Sequence, residues 1–320
     1  MIVCASLNPA IDKRLSLELL ERGKVNRVIE AAPEPGGKSL HVAMVLHTLG
    51  ANPLWIGFSG GATGKELVDG IRRMGIRTQA VEIEKPTRTN LEILENDGTV
   101  TEILEPGPAL TEGEQERFQR TYENTMRDAG PNGIAVLSGS LPLNVPSDFY
   151  STLIRIGHQN GSRVFLDTSG EPLKQALNAG PDFVKPNQHE AEWLSESAIF
   201  DHHAAQIALQ KILGAGARAA AISLGAAGMV YQSSTDENAM LATVPNLTVR
   251  STTGSGDAAM AGFVFASKQG LGAVETLRLA AACGTANCLA DGPGKARTAD
   301  IERLKGEIQI RVLQKSERGS

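Results

Sequence analysis

The sequence predicts an α/β fold in which helices cover both faces of a mostly parallel sheet. The first indication is that short apolar runs alternate with helical segments along most of the 320 residues. The second is that 41% of the residues are hydrophobic, which is enough for a large core. Two stretches, 10–32 and 87–104, interrupt this alternation and predict a small β-lid at the edge of the α/β body.

The apolar runs predict seven strands, and the helical segments lie between and after them. The first helical segment has Val42, Val45 and Leu49 on one face and Gly50 as its stop signal. The predicted strands cover residues 2–7, 53–58, 134–139, 163–168, 182–187, 219–225 and 228–232. The predicted helices cover residues 39–49, 64–74, 113–128, 147–160, 188–196, 203–214 and 257–290.

The two interrupting stretches have the pattern of β-structure. Residues 10–32 mix polar and apolar positions without a helical period. Residues 87–104 contain two alternating runs joined at Asn96-Asp97-Gly98, which is a hairpin signal. Because the two stretches are far apart in the sequence, we expect one domain over residues 1–320 that carries the lid, and not a separate lid domain.

Charge and cysteine content argue against several classes of function. The formal net charge is -5 and the pI is about 5.8, so the chain lacks the basic surface of a nucleic-acid-binding protein. No Lys/Arg block favours an anionic membrane, and no apolar run has the length of a membrane span. Three cysteines without a metal-ligand spacing fit a reducing compartment, and the first residues lack the basic region of a signal peptide. We therefore expect a cytoplasmic protein.

The stretch APEPGGKS at 32–39 is close to a nucleotide-binding P-loop. Ala32 stands where that motif has its first glycine, and Pro33 and Pro35 remove backbone N–H groups that a phosphate cradle uses. A P-loop also follows a buried strand directly, whereas the residues before this stretch alternate. The P-loop interpretation is therefore poorly supported.

A ligand site of another kind fits the same stretch better. Gly36 and Gly37, here called the first glycine turn, allow close approach of a ligand, and a helix begins directly after them. The helix start presents free N–H groups and positive dipole to an electron-rich group such as a sugar hydroxyl or phosphate. A plain strand-to-helix turn capped by Ser39 explains the pattern equally well.

A second glycine-rich stretch, STTGSGDAAMAGFVFA at 251–266, is more informative. Gly254, Ser255 and Gly256, here called the second glycine turn, offer backbone N–H groups to an anion and precede a helix of small residues. An acid in such a turn, Asp257, suits a general base that deprotonates an accepting hydroxyl during phosphoryl transfer. The alternative is that Asp257 only caps the helix.

These stretches and several others occur in the order found in the phosphofructokinase B family of sugar kinases, which the sequence resembles over nearly its whole length. The motifs that carry the resemblance are NPAIDK (8–13), GGKSLHVAMVLHTLG (36–50), TRTNLEI (87–93), LSGSLP (137–142), LDTSG (166–170), VKPNQHEAEWL (184–194), ISLGAAG (222–228) and TTGSGD (252–257). The resemblance implies a ribokinase-like fold, a three-layer α/β/α sandwich with a small β-lid. It is greatest to the branch that phosphorylates ketohexose phosphates.

The resemblance implies an ATP- and Mg²⁺-dependent kinase that converts fructose 1-phosphate, fructose 6-phosphate or tagatose 6-phosphate to a bisphosphate. A kinase for another sugar, or a catalytically silent sugar-phosphate sensor, is the alternative. The family often forms homodimers through the lid, and Lys24 matches a lysine that some members contribute across that interface.

The family's residue roles can be carried over to this sequence. Asp257 becomes the general base and Gly254, Ser255 and Gly256 the anion hole. Asn187 and Glu190 are expected to organise Mg²⁺, and a helix cap is the alternative use of that pair. The expected nucleotide contacts are Lys185, Asn187, Ser223, Gly225, Gly228 and Asn287, the last one facing adenine. The alternatives are a solvated lysine at position 185 and a packed polar residue at position 287.

On the sugar side, Asp12 is expected to bind hydroxyl groups, and Arg88 with Lys38 the phosphate already on the substrate. The alternative is that Arg88 is a solvated strand residue that binds no ligand. The other expected sugar-site residues are Gly36, Gly37, His41 and Ser138. Three residues depart from the family pattern, because Ser39 replaces a glycine, His41 replaces an asparagine and Ala258 replaces a serine. We expect His41 and Ser39 to affect the choice of sugar phosphate and the departures to leave the catalytic base untouched. The alternative for His41 is an exposed helix residue without a role in binding.

Overall fold

The computed structural model describes residues 1–314, which form a large sheet, a small sheet and the helices that pack on them. The strands in chain order are β1 (Ile2–Ser6), β2 (Ala10–Leu17), β3 (Glu30–Gly36), β4 (Leu54–Gly60), β5 (Arg77–Ile83), β6 (Arg88–Glu95), β7 (Val100–Ile103), β8 (Ile134–Ser138), β9 (Arg163–Asp167), β10 (Phe183–Val184), β11 (Ala219–Ser223), β12 (Met229–Ser233), β13 (Ala239–Thr243) and β14 (Gln309–Leu313). The α-helices are α1 (Lys38–Thr48), α2 (Gly61–Arg73), α3 (Glu112–Ala129), α4 (Phe149–Gln159), α5 (Gly170–Leu177), α6 (Gln188–Ser195), α7 (His202–Gly214), α8 (Ser255–Gln269), α9 (Ala273–Asn287) and α10 (Thr298–Glu307).

The large sheet is mostly parallel. Its strand order is β14-β13-β12-β11-β10-β9-β8-β1-β4-β5, and the pairs from β5 to β11 are parallel. The pairs from β11 to β14 are antiparallel. Side chains of β1 alternate between two separate cores, because Cys4 lies in one core and Val3 and Ala5 lie in the other. The result is the predicted α/β/α arrangement, with α1, α8, α9 and α10 on one face and α3, α4 and α7 on the other.

The small sheet, here called the lid sheet, has the order β3-β2-β6-β7. Its inner strands β2 and β6 run parallel, and the outer pairs are antiparallel. The hairpin predicted at Asn96-Asp97-Gly98 joins β6 to β7, and Gly98 has a φ of 89°. Strand β3 runs on to Gly36, so the lid sheet extends past the predicted boundary at residue 32.

Within residues 1–314, the large sheet contains all seven predicted strands and three strands that were not predicted. Strand β5 lies at the edge of the large sheet, where its alternating exposed residues gave no apolar run. Strands β13 and β14 were also missed, as were helices α5 and α10. The segment 257–290, predicted as one helical region, is two helices, because α8 ends at Gly270 in a left-handed conformation.

Candidate active site

A cleft of about 540 Å³ lies between the lid sheet and the large sheet. The last residues of four parallel strands line it, namely Ser6, Ser138, Asp167 and Ser223. This position follows from the fold, since open α/β sheets bind ligands at the carboxyl ends of their strands. The lid sheet provides the opposite wall.

The second glycine turn lies in the wall of this cleft. Gly254 has a φ of 77° and is the N-cap of α8, where no side chain provides a cap hydrogen bond. Asp257 lies in the first turn of the helix and is 5% exposed. Its carboxylate contacts His41 and does not cap the helix, so the capping alternative for Asp257 is wrong. The turn therefore combines a helix start with a buried carboxylate.

Small residues let this half-buried turn and its helix pack closely against their neighbours. A Cβ atom on Gly262 would lie 2.6 Å from the Cα atom of Ala280, so α8 and α9 pack closer than larger side chains permit. On the other side of the turn, a Cβ atom on Gly256 would lie 3.1 Å from the Nζ atom of Lys185. The turn is thus held between α9 and a buried lysine.

The first glycine turn joins the lid sheet to α1. Gly37, with a φ of 104°, is the N-cap of α1, and Ser39 is not a cap, because its hydroxyl donates to the Ala5 carbonyl at 2.6 Å. The residues before the turn form β3, a strand of the lid sheet paired with β2, and not a strand of the large sheet. The structure therefore excludes the P-loop interpretation, which requires a buried strand before the loop.

Gly36 is required by the position of Asp12. A Cβ atom at Gly36 would lie 1.9 Å from an Asp12 carboxylate oxygen. The other oxygen of Asp12 accepts a hydrogen bond of 2.8 Å from Asn90. Burial raises the pKa of Asp12, but hydrogen bonds from His41 and Asn90 outweigh burial and hold it below its usual value.

His41 contradicts the expectation that the departures from the family pattern leave the catalytic base untouched. Its Nδ1 atom lies 2.9 Å from an oxygen of Asp257, and its Nε2 atom lies 3.5 Å from an oxygen of Asp12. The residue is buried, with 7% exposure, so it is not a solvated helix residue either. The expectation failed because the residues that meet here lie on α1, α8 and β2, whose packing the sequence does not specify.

Asp167 is a residue of the cleft to which the sequence analysis gave no role. It lies 3.2 Å from the Nζ atom of Lys38 and 3.6 Å from that of Lys185. Burial raises the pKa of Asp167, but the charges of Lys185 and Lys38 outweigh it and lower the pKa, while the charge of Asp167 raises the pKa of Lys38. The signal that could have found Asp167 is the one used for Ser138, a polar residue at the end of a buried strand.

Arg88 lies at the base of the lid sheet. Its guanidinium donates to the carbonyl oxygens of Glu105 at 2.7 Å and of Asn8 at 2.9 Å, and its buried Nε atom has no partner among the described residues. Burial lowers the pKa of Arg88, and it borders the cleft, so it is not the solvated strand residue of the alternative.

The cleft face of the lid sheet carries further polar residues that the sequence analysis missed. On β2, Arg14 follows Asp12 by two positions, and its Nε atom donates to Glu92 at 3.0 Å. Arg14, Asn90 and Glu92 all border the cleft. The period of two in each strand, counted from Asp12 and from Arg88, would have identified them.

Asn187 and Glu190 form a capping box at the start of α6. The Asn187 side chain accepts from the Glu190 backbone N–H at 2.9 Å, and Glu190 accepts from the Asn187 backbone N–H at 2.8 Å. This is the alternative that the sequence left open for the pair. Both residues nevertheless border the cleft and retain oxygen atoms that can bind a cation.

Several predicted contact residues do not border this cleft. Asn287 is fully buried and donates to the Thr253 carbonyl at 2.9 Å, so it is a packed polar residue that supports the second glycine turn. Gly225 and Gly228 lie beyond the Ser223 end of the cleft, and Lys24 is an exposed lid residue paired with Glu21. Gly36 acts behind Asp12, outside the cleft surface.

Comparison with known proteins agrees with this arrangement. The chain belongs to the pfkB family of carbohydrate kinases, whose pattern it matches over residues 5–299. A Staphylococcus aureus protein assigned as a phosphofructokinase is 30% identical, with 98% of this chain and 99% of that chain covered and a TM-score of 0.84. Escherichia coli phosphofructokinase-2, solved with potassium, is 28% identical, with coverage of 96% and 98% and a TM-score of 0.89.

A third similar structure extends the likeness of fold. A Thermotoga maritima protein assigned as a 1-phosphofructokinase is 24% identical, with 98% of this chain and 100% of that chain covered and a TM-score of 0.87. The fold is thus that of the ribokinase-like pfkB structures, and the protein is a sugar kinase. Across residues 1–314, no helix has the length and apolar character needed to cross a membrane.

Proposed function

We propose that this protein transfers the γ-phosphoryl group of ATP to a hydroxyl group of a ketohexose monophosphate, which becomes the bisphosphate. The observation that carries the proposal is that one cleft combines the buried carboxylate of Asp257 at a helix start with cationic side chains from the lid and body. The candidate acceptors are fructose 1-phosphate, fructose 6-phosphate and tagatose 6-phosphate. Escherichia coli phosphofructokinase-2, one of the similar structures, has been solved with fructose-6-phosphate.

Asp257 acts as the general base in this proposal. One of its oxygens is held by His41, and the other has no hydrogen-bond donor within residues 1–314, so it is available for the proton of the acceptor hydroxyl. The backbone N–H groups of Gly254, Ser255 and Gly256 lie at the positive end of α8 and stabilise negative charge that develops on the transferred group.

Lys38 and Arg88 bind the phosphate that the acceptor already carries. They come from opposite walls of the cleft, and the Arg88 guanidinium has an unpaired buried N–H that a phosphate oxygen satisfies. Arginine binds phosphate through its planar fork, and the lysine adds a compact charge. Asp12, on the lid sheet, accepts hydrogen bonds from the sugar hydroxyl groups. Ser138, at the end of β8, has a buried hydroxyl without a partner among the described residues, and this hydroxyl can bond the ligand.

The nucleotide end of the cleft lies near Lys185, Asn187 and Ser223. ATP would supply the phosphoryl group, and its Mg²⁺ would offset part of the negative charge of the phosphates. The described residues contain no group of three or more His, Cys, Asp or Glu side chains that is arranged to hold a metal ion, so we infer that a cation there takes few protein ligands. That fits Mg²⁺, which keeps several waters and prefers oxygen ligands such as those of Asn187 and Glu190.

The test is the release of ADP from MgATP in the presence of each of the three ketohexose phosphates, with fructose and ribose as controls. We expect one ketohexose phosphate to give a much higher kcat/KM than the others. Turnover of only an unphosphorylated sugar would replace the proposal by a kinase for a different sugar. Binding of a sugar phosphate with no turnover of any acceptor would identify a silent sensor.

We also propose a homodimer formed through the lid sheet. The lid carries exposed apolar side chains, among them Val25 at 84% and Ile29 at 70% exposure. A second copy of the lid is a suitable partner, because pairing covers both apolar faces at once. Escherichia coli phosphofructokinase-2 has a tetrameric inhibited form. Sedimentation velocity of the wild type and of Ile29→Lys tests the dimer, and a wild-type monomer at micromolar concentration would refute it.

A further inference from the structure

The contact between His41 and two carboxylates gives this site a feature that the proposed function does not include. His41 lies on α1, Asp257 on α8 and Asp12 on the lid strand β2. We propose that His41, carrying a proton on both ring nitrogens, is a positioning residue that fixes the Asp257 carboxylate and ties the lid sheet to the catalytic helix. The inference rests on the proposed function for the role of Asp257, but the contacts themselves do not depend on it.

The geometry favours a doubly protonated ring. Nδ1 lies 2.9 Å from an oxygen of Asp257, and Nε2 lies 3.5 Å from an oxygen of Asp12. A neutral imidazole has one N–H and one lone pair, so it would direct the lone pair at one of the two carboxylates. Only the imidazolium presents an N–H to both. An asparagine at position 41 has a neutral amide side chain and could not make the same pair of ionic contacts.

The charges around His41 favour the same state. Burial lowers the pKa of His41, but the hydrogen bonds and negative charges of Asp12 and Asp257 outweigh burial and raise it to about 9. Arg88, on β6, also interacts with the charge of Asp12. Its positive charge works against protonation of His41, because it offsets part of the negative charge of Asp12.

The remaining charged groups on neighbouring elements are engaged elsewhere. Lys38 on α1 pairs with Asp167, and Glu34 on β3 pairs with Lys295. Strands β1, β4 and β8, which also pack against α1, contain no Asp, Glu, Lys, Arg or His in their described spans. The only titratable side chain among them is Cys4, and burial raises the pKa of its thiol far above neutral. Asp12 and Asp257 are therefore the groups that decide the charge of His41.

The consequence is that the charge of His41 controls both the position of Asp257 and the attachment of the lid sheet. With the ring charged, one oxygen of Asp257 is held at Nδ1 and the other is left for the acceptor hydroxyl. When the ring loses its proton, a lone pair faces one of the carboxylates and the link between β2 and α8 weakens. The activity and the order of the lid should therefore fall together as the pH rises through the titration of His41.

The direct test is NMR of the imidazole nitrogens in ¹⁵N-histidine-labelled full-length protein, in which the His41 signals are those absent from His41→Asn. We expect both nitrogens to be protonated at pH 7.5 and to titrate near pH 9. In Asp12→Asn, which keeps the histidine and removes one carboxylate, the midpoint should fall. A wild-type midpoint at or below 6.5, the ordinary histidine value, would overturn the inference without bearing on whether the protein is a kinase.

The functional test compares pH profiles of kcat for wild type, His41→Asn and a matched control, His47→Asn, an exposed histidine on the same helix. The wild type and the control should lose most of their activity between pH 8 and pH 10, with a midpoint of about 9. His41→Asn should be less active at pH 7.5 and lack that alkaline decrease. An identical alkaline decrease in His41→Asn would refute the positioning role.

Hydrogen exchange measures the link to the lid without any turnover. At pH 7.5, residues 10–17 should exchange faster in His41→Asn than in wild type, and His47→Asn should match wild type. Equal protection of this strand in all three proteins would mean that His41 does not hold the lid.

Discussion

The two glycine turns both lead into helices that border the cleft, and those helices pack against each other. The first glycine turn connects a lid strand to α1, and its neighbours are held by the protein: Ser39 bonds the Ala5 carbonyl and Lys38 pairs with Asp167. The second glycine turn leaves its helix start without a side-chain cap and carries Asp257. Similar glycine patterns thus stand in different surroundings, and in the proposed function the first turn places the acceptor and the second performs the chemistry.

The largest expected effect is at the second glycine turn. Asp257→Asn keeps the size of the side chain and removes the proposed base, so kcat should fall by about a hundred- to ten-thousand-fold. The measurement is steady-state ADP release with the best ketohexose phosphate. Asp69→Asn, at a half-buried position on α2 outside the cleft, is the matched control and should retain wild-type kcat. A loss of less than threefold in Asp257→Asn would remove the distinction between the two turns.

The next effect separates acceptor binding from nucleotide binding. Lys38→Ala removes the charged contact that we propose for the acceptor phosphate, so the KM for the sugar phosphate should rise by about 10- to 100-fold. The Kd for ATP, measured by calorimetry, should stay within about twofold. Lys65→Ala on α2 removes an exposed lysine and serves as the control. A selective loss of ATP binding in Lys38→Ala would instead restore a nucleotide role for the first turn.

A smaller effect is expected from the backbone of the first glycine turn. Gly36→Ala places a methyl group 1.9 Å from an Asp12 oxygen, so the carboxylate must move away from His41 and Asn90. We expect a higher KM for the acceptor and a loss of about 1–3 kcal/mol in the free energy of unfolding. Gly306→Ala, in a helix with open space around it, is the control. Wild-type KM in Gly36→Ala would show that the position of Asp12 does not matter for binding.

The smallest effect concerns stability alone. Ser39→Ala removes a buried hydrogen bond to the Ala5 carbonyl, which should lower the free energy of unfolding by about 1 kcal/mol. The measurement is urea denaturation, with Ser197→Ala, at a serine outside the cleft, as the control. Since Ser39 does not border the cleft, kcat and KM should stay near wild type. A large change in KM would mean that Ser39 acts on the ligand and not on the turn.

The sequence by itself determined the layered α/β architecture, the lid and some of the polar residues that line the cleft. These are local properties: apolar runs of strand length, helical periods, a hairpin signal and glycine turns each appear within a few residues. The strands that it missed, such as β5, lie at a sheet edge where the local pattern is weak.

Only the tertiary structure decided how those residues meet. The contact of His41 with Asp12 and Asp257 joins positions 29 and 216 residues apart, and Asp167 finds Lys38 at a separation of 129 residues. Asn287, predicted at adenine, is instead buried beneath the second glycine turn. Such contacts depend on which helix faces pack together, and the sequence pattern gives the buried face of each helix but not the partner that it meets.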